Sequence, residues 1–426
     1  MHKLMLQIAE RSAATADLAS NLGLKPRFAG RNQEVAIMKR QSFKMSHYAR
    51  KTSYTKMKSP QPEHELVQHK LARVARFPGL RALAWSGELL YASRGYEVLQ
   101  AKVGDPSQGL NWQPVARFRP AWNRRLSVHN RLTARLFRDG FHALAVLPSG
   151  GMVAAVPGAI LTLRPNDSVF RKTHAITRGT RPLHITAVPG GTIYWGEYFD
   201  NAARDEVHIY ASTDAGETWR VAHTFPKGAI RHVHNIVHDP RAHELGNNCL
   251  WILTGDYGDE CRILCAACDL RRVEVVMQGK QQARAVAAIA AENGFYFSTD
   301  TPLEANFIYR LDLQSEDKSG NLIALTAING SSIYACRVGC RTEDRLYFST
   351  MVEPSEVNRD GHVRIYGVTQ AGWQEVLSWK KDRWPMGLFQ YGNAILPDGE
   401  NSTPYLAVTT VAVEKDDMVT SLYLER

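Results

Sequence analysis

The chain has 426 residues, 44% of them hydrophobic and 22% charged, with a formal net charge of +10. This is longer than an ordinary single domain but within reach of a repeat architecture built as one unit. It contains no run of about eighteen uninterrupted apolar residues and no basic-then-apolar leader, so the sequence predicts no membrane-spanning helix and a cytoplasmic location.

Residues 1–65 differ in kind from the rest. The first sixty carry twelve Lys and Arg against three acids, which accounts for most of the formal charge, and the segment ends in a Pro-containing linker. It reads as a basic, largely disordered extension. A nucleic-acid role is disfavoured, because no aromatic-basic alternation or recognition motif accompanies the charge.

Residues 66–426 show a recurring unit. Strand candidates entering a turn are "EVLQAKV" (97–103), "AILTLRP" (159–165), "VHIYAST" (207–213), "RILCAAC" (262–268), "FIYRLDL" (307–313) and "VRIYGVT" (363–369), each followed by an amphipathic outer strand such as "WRVAHTF" or "WQEVLSW". Upstream of each lies a pair of apolar strands joined by a polar turn, for example "FHALAVLPSGGMVAAV". β-Branched and aromatic enrichment with turn residues at regular intervals predicts an all-β chain, a β-propeller of about seven four-stranded blades, six being the alternative count. The last copy, running out at "VTSLYLER", lacks its outer strand, and "HKLARVARF" (69–77) is expected to supply it and close the ring.

One turn is diagnostic. Ser212-Thr213-Asp214-Ala215-Gly216-Glu217-Thr218-Trp219 reads Ser-x-Asp-x-Gly-x-Thr-Trp, in which the carboxylate can accept from backbone amides ahead of it, Gly takes a positive φ and Trp covers the hairpin. The pattern resembles the Asp-box of the BNR-repeat propellers, the broad sialidase-like superfamily. That resemblance implies that the box is a structural staple remote from the active site, and that the chain is related to glycan-acting propellers. The run from "YWGEYFDN" to "TGDYGDE" also looks like propellers of bacterial exopolysaccharide-associated type. Sialidases carry in addition an Arg-Ile-Pro-type motif, of which "ARFPGL" (75–80) is a degenerate echo, and six blades, so a glycan other than a sialoside is the expected substrate.

By analogy with propellers generally, ligands bind where the second-to-third-strand loops and the blade-to-blade connections converge. These are 196–206, 255–260, 299–306 and 350–362, with 227–235, 279–284 and 380–393. They nominate Glu197, His234, Asp256, Tyr257, Asp300 and Glu304 as catalytic residues and Tyr198, Arg231, His232, Arg284, Asn306, Arg383 and Trp384 as substrate-binding residues. Acids, tyrosines and amides on one face suit sugar hydroxyls and carboxylate-based glycosidic cleavage. His232 and His234 share a strand face near Asp256 and could serve as a base or as half of a metal pair, but a structural role is preferred and no cofactor is expected.

A second constellation lies in 117–138, where Arg117, Arg119, Arg124, Arg125, Arg131, Arg135 and Arg138 crowd a long blade-to-blade connection; Arg178, Arg181, Arg231, Arg284 and Arg383 sit near other blade starts. Some should pair with acidic loops, and the remainder suit bidentate recognition of carboxylate, sulfate or phosphate. The six cysteines include Cys265-Ala-Ala-Cys268, without a second such pair, so they are expected to be buried reduced thiols rather than zinc ligands.

These observations predict a propeller that cleaves an acidic polysaccharide or glycoconjugate, by hydrolysis with a carboxylate pair or by β-elimination with His234 or Tyr257 as base. The alternative is a non-catalytic glycan-binding or assembly platform. The sequence does not specify an oligomeric state.

Overall fold

The computed structural model describes residues 71–106, 109–241, 248–312, 321–339 and 344–425; the basic extension read over 1–65 lies outside them. Twenty-eight strands form seven antiparallel blades, each running from an innermost strand outward. Blade 1 is Arg81–Gly87, Leu89–Arg94, Glu97–Lys102 and Gln113–Arg117. Blade 2 is Ala143–Val146, Met152–Val156, Ala159–Leu163 and Arg171–Ala175. Blade 3 is Thr186–Ala187, Ile193–Gly196, Val207–Ser212 and Arg220–Phe225. Blade 4 is His232–His238, Asn248–Gly255, Arg262–Ala267 and Val273–Gln278. Blade 5 is Ala285–Ala291, Gly294–Thr299, Asn306–Asp312 and Asn321–Ile328. Blade 6 is Ser332–Gly339, Asp344–Val352, His362–Thr369 and Gly372–Lys380.

Blade 7 draws on both ends of the described chain. It comprises Gly392–Ile395, Leu406–Val411, Val419–Glu425 and, as outer strand, Leu71–Pro78. Leu71 pairs with Glu425 and Pro78 with Val419, and Arg73 and Arg76 both bond Asp416, at 2.6 and 2.8 Å. Five blades are separate sheets; blades 6 and 7 are joined into one eight-stranded sheet where Met351 pairs with Asn393. A strand not anticipated from sequence, Asp398–Asn401, pairs in parallel with the innermost strand of blade 1. By sequence pattern this segment belongs to the last blade's inner hairpin.

The core lies between blades. Middle strands such as Met152–Val156 and Gly294–Thr299 are buried along their whole length, whereas the outer strand Leu71–Pro78 is only partly covered. This is the pattern of sheets stacked on both faces. A separate apolar cluster joins each blade to the next, the ring closing through Ala82, Trp85 and Leu90 of blade 1 against Ala407 and Leu422 of blade 7. At that closing seam Thr409 and Thr420 hydroxyls accept from Ala82 N at 2.9 and 3.2 Å.

Two features depart from the sequence-based expectation. The arginine-rich connection contains two short helices, α1 (Trp122–Ser127) and α2 (Arg131–Phe137), the second capped by the Asn130 side chain on Thr133 N. Cys249 and Cys268 form a disulfide with Cα atoms 5.4 Å apart, while Cys261, Cys265 and Cys336 are free and buried. Cys340 lies outside the described residues. The expectation of reduced thiols therefore fails for that pair. No helix among the described residues is long and apolar enough to cross a membrane.

The Ser212–Trp219 turn staples blade 3 to blade 2. Asp214 Oδ1 accepts from Thr218 N at 2.9 Å and Asp214 Oδ2 from the Thr218 hydroxyl at 2.5 Å. Gly216 is at φ +87°, a Cβ there would collide with Val153 and Thr162, and its carbonyl accepts from the Thr162 hydroxyl at 2.7 Å. Glu217 pairs with Arg164 and Arg171 of blade 2, each at 2.8 Å.

Candidate functional site

Three neighbouring blades bring a dense polar cluster to one place. His232 opens the innermost strand of blade 4, and His234 is the unpaired residue of a β-bulge between Val233 and Asn235. A bulge re-aims its side chain. As a result the His232 and His234 Nε2 atoms stand 3.0 Å apart, and Asp256 Oδ1 lies 3.4 Å from the first and 3.1 Å from the second. The Nδ1 atoms donate to backbone carbonyls, His232 to Phe199 O at 3.0 Å and His234 to Ala285 O at 2.8 Å, since a carbonyl only accepts. These three side chains form the set among the described residues whose ligand atoms could hold a metal ion, all lying within 4.8 Å of one another.

Arginines frame the cluster. Arg231 donates to Asp256 Oδ2 at 3.2 Å and to Asp200 Oδ1 at 2.5 Å, and lies 5.7 Å from the Tyr257 ring centroid. Arg284 places one Nη2 3.5 Å from Asp256 Oδ1 and 3.7 Å from Asp300 Oδ2, so two carboxylates share one guanidinium. The short 3₁₀ turn Gln281–Ala283 and the bond from Asp300 N to Arg284 O at 2.9 Å fix that arrangement. Gln281 also donates to Asp256 O at 3.1 Å.

The carboxyls are driven apart in acidity. Burial works to raise Asp256, but its contacts with His232 and His234 and the charge of Arg284 outweigh it and hold the group well below the usual carboxylate range. Asp300 moves the other way, pushed up to about 8 by burial, which Arg284 only partly offsets, with Glu353 and Asp256 adding repulsion. At neutral pH Asp300 therefore carries a proton beside an ionised Asp256. Burial, with Asp256 and Asp300 close by, also raises the Tyr198 phenol, whose ring lies 4.4 Å from that of His232.

Tyr198 links the cluster to a cavity of about 320 Å³ bounded also by Phe137, Arg138, Pro157, Thr180, Arg181 and Leu183. Arg81, Arg138 and Arg181 gather around His142 beside this cavity, and the charges of Arg181 and Arg81 add to burial in holding His142 well below its usual pKa. Burial also lowers Arg81, and burial with the neighbouring Arg81 brings Arg181 down to about 10. None of the three arginines has a carboxylate within ion-pairing distance among the described residues, and Arg81 Nε is buried without a hydrogen-bond partner. Arg138 and Arg181 are among the arginines that the sequence singles out; Arg81 and His142 are not, because they flank inner strands rather than the candidate loops.

The remaining nominated residues have other settings. Glu197 is 5% exposed, held by both oxygens on Arg178 and accepting from His208 N at 2.8 Å. Glu304 lines a separate cavity of about 150 Å³ with Gln281, Gln282, Thr299 and Thr301. Asn306 is fully buried and uses its amide to tie the 299–306 loop, accepting from the Thr299 hydroxyl and from Thr301 N and donating to Thr301 O. Trp384 packs against Arg135 at 4.6 Å, near Asp382, while Arg383 is exposed. Of the arginine-rich connection, Arg124 pairs with Asp139, Arg131 with Asp417, and fully buried Arg135 with Asp382 and Asp417.

No protein-family model and no curated protein sequence matches the chain. Solved structures resemble it in fold alone. A chain of the mitotic checkpoint complex superposes with a TM-score of 0.50 at 9% identity over 89% of this chain and 99% of that one. A chain of a nidogen/laminin complex gives 0.43 at 13% identity over 74% and 98%. An ancestral GH74 enzyme gives 0.47 at 11% identity over 84% of this chain and 47% of its own, so the present chain spans about half of its length.

Proposed function

We propose that this propeller binds and cleaves an acidic glycan at the cluster centred on blades 3 to 5. One observation carries the reading: Arg138 and Arg181, without carboxylate partners among the described residues, line a cavity that shares Tyr198 with an acid–base cluster. Uncompensated guanidinium groups in such a place cost folding energy, and an anionic ligand offsets that cost. A uronate or similarly charged sugar would seat its carboxylate on Arg181 and Arg138, bringing the adjacent glycosidic linkage toward Asp300 and Asp256.

The divided acidities favour hydrolysis over elimination. Protonated Asp300 can donate to the departing glycosidic oxygen, and the Asp256 side supplies the base or nucleophile. The BNR-type kinship suggested by the Ser212–Trp219 turn agrees with a glycan substrate. The test is a panel of uronate-containing and sialylated polysaccharides incubated with the protein. New reducing ends without ultraviolet-absorbing unsaturated sugar, abolished by Asp300→Asn, are expected; binding without either product across the panel would favour the non-catalytic platform.

A further inference from the structure

We infer that His232, His234 and Asp256 form a binding site for one divalent first-row metal ion, with Nε2, Nε2 and Oδ1 as its ligand atoms. Because both Nδ1 atoms donate to carbonyl oxygens, a neutral ring at either position turns a bare Nε2 lone pair toward the other histidine and Asp256. With both rings neutral, three acceptors then converge without a donor among the three, and Arg284 Nη2 stands outside the triangle at 3.5 Å from Asp256 Oδ1. Such an arrangement needs a cation at its centre: a proton shared among them, or a metal.

The dimensions favour the metal. First-row ions hold imidazole nitrogens and carboxylate oxygens at about 2.0–2.2 Å, which sets adjacent ligand atoms about 3.0–3.5 Å apart. The triangle formed by these atoms has edges of 3.0, 3.1 and 3.4 Å. The surroundings also match a metal centre, where ligating histidines donate their second nitrogen to a carbonyl or carboxylate and the ligating carboxylate is itself held by hydrogen bonds. Arg231 holds the outer oxygen of Asp256 at 3.2 Å, leaving Oδ1 facing the histidines. Two imidazoles and one carboxylate occupy one side of an ion and leave other positions free for water or substrate oxygen, the composition of a catalytic rather than a structural centre. Under the glycan reading, a water on the ion would take the base role on the Asp256 side, but the metal site does not depend on that reading.

The experiment uses the full chain, stripped with chelator and titrated with Co²⁺ and Zn²⁺. We expect one Co²⁺ per chain with visible absorption typical of nitrogen and oxygen ligation, competed by Zn²⁺, and a Zn²⁺-dependent rise in Tm. Affinity should fall at least about tenfold in His234→Gln and in Asp256→Asn. A thiolate charge-transfer band would place the ion on a free cysteine and overturn the assignment, as would no uptake by the wild-type protein or unchanged uptake in His232→Gln/His234→Gln. If the variants do not fold, the wild-type Co²⁺ spectrum alone decides. No readout involves a glycan, so this result and the substrate panel can fail separately.

Discussion

The imidazole of His234 packs directly on the Cα of Gly255, occupying the space that a Cβ at that position would take. Glycine is thus required immediately before Asp256, because any side chain there would drive His234 off the carboxylate. Gly255→Ala is expected to cost about 1–3 kcal/mol, the range for overpacking a filled interior. It should also reduce Co²⁺ uptake and glycan cleavage. Full uptake and turnover in a variant with unchanged Tm would show that the contact is not limiting.

The unpartnered arginines predict opposite effects on stability and binding. Arg181→Met removes a guanidinium that burial and Arg81 already disfavour. Chemical denaturation should therefore show unchanged stability or a gain of up to about 2 kcal/mol. Affinity for an anionic oligosaccharide should fall about tenfold or more, as a charge-assisted contact is lost. A loss of stability together with unaltered affinity would assign Arg181 a structural role.

Asp300 gives the pH dependence its sign. Its pKa near 8 in the folded protein exceeds the ordinary carboxylate value of 3.8, so between about pH 4 and 8 the native state holds a proton that the unfolded chain has released. Stability from this group is full below pH 4 and is lost progressively as pH rises to 8. Asp300→Asn should remove that component, flattening the pH–stability curve and leaving the variant more stable than wild type at pH 8. Cleavage by wild type should decline on an alkaline limb near pH 8 as the acid ionises, and a stability curve identical to that of the variant would contradict a protonated Asp300.

What the sequence made legible follows from periodicity. Strand patterning located the blades and the closing strand because alternation and apolar runs are local properties. The helices α1 and α2 are signalled only by Asn130 followed by Leu132 and Leu136, a capped helical spacing too short to stand out from the arginine-rich run around it. The loops point to His232, His234, Asp256, Arg284 and Asp300, and these do share one cluster. Glu197 looks equivalent to Asp256 by loop position, but its partner Arg178 comes from the preceding blade connection. Such pairing is not visible in a linear sequence. Arg81 is hidden for a related reason, since it begins an inner strand and meets Arg181 only once the ring closes.

The Ser212–Trp219 turn is expected to act on stability alone. Asp214→Ala leaves Thr218 N without its acceptor and should cost about 1–2 kcal/mol by denaturant unfolding. Turnover per folded molecule should be retained. A large loss of turnover at unchanged stability would mean that this turn belongs to the active site.

Ring closure predicts a sharp boundary in N-terminal truncation. Leu71–Pro78 completes blade 7 through its ladder to Val419–Glu425 and through Arg73 and Arg76 on Asp416. Its apolar residues Val74, Ala75 and Phe77 also pack on the blade 7–blade 1 cluster. Removing the first fifty-odd residues leaves all of these contacts in place, so Tm should hardly move. Removing residues through Phe77 strips the outer strand, exposes the edge of Val419–Glu425 and opens the apolar seam against blade 1, so that truncation should unfold or aggregate. Because closure links the two ends of the ring, the loss should be cooperative, with every blade's signal melting together. Equal melting temperatures for the two truncations would refute this closure.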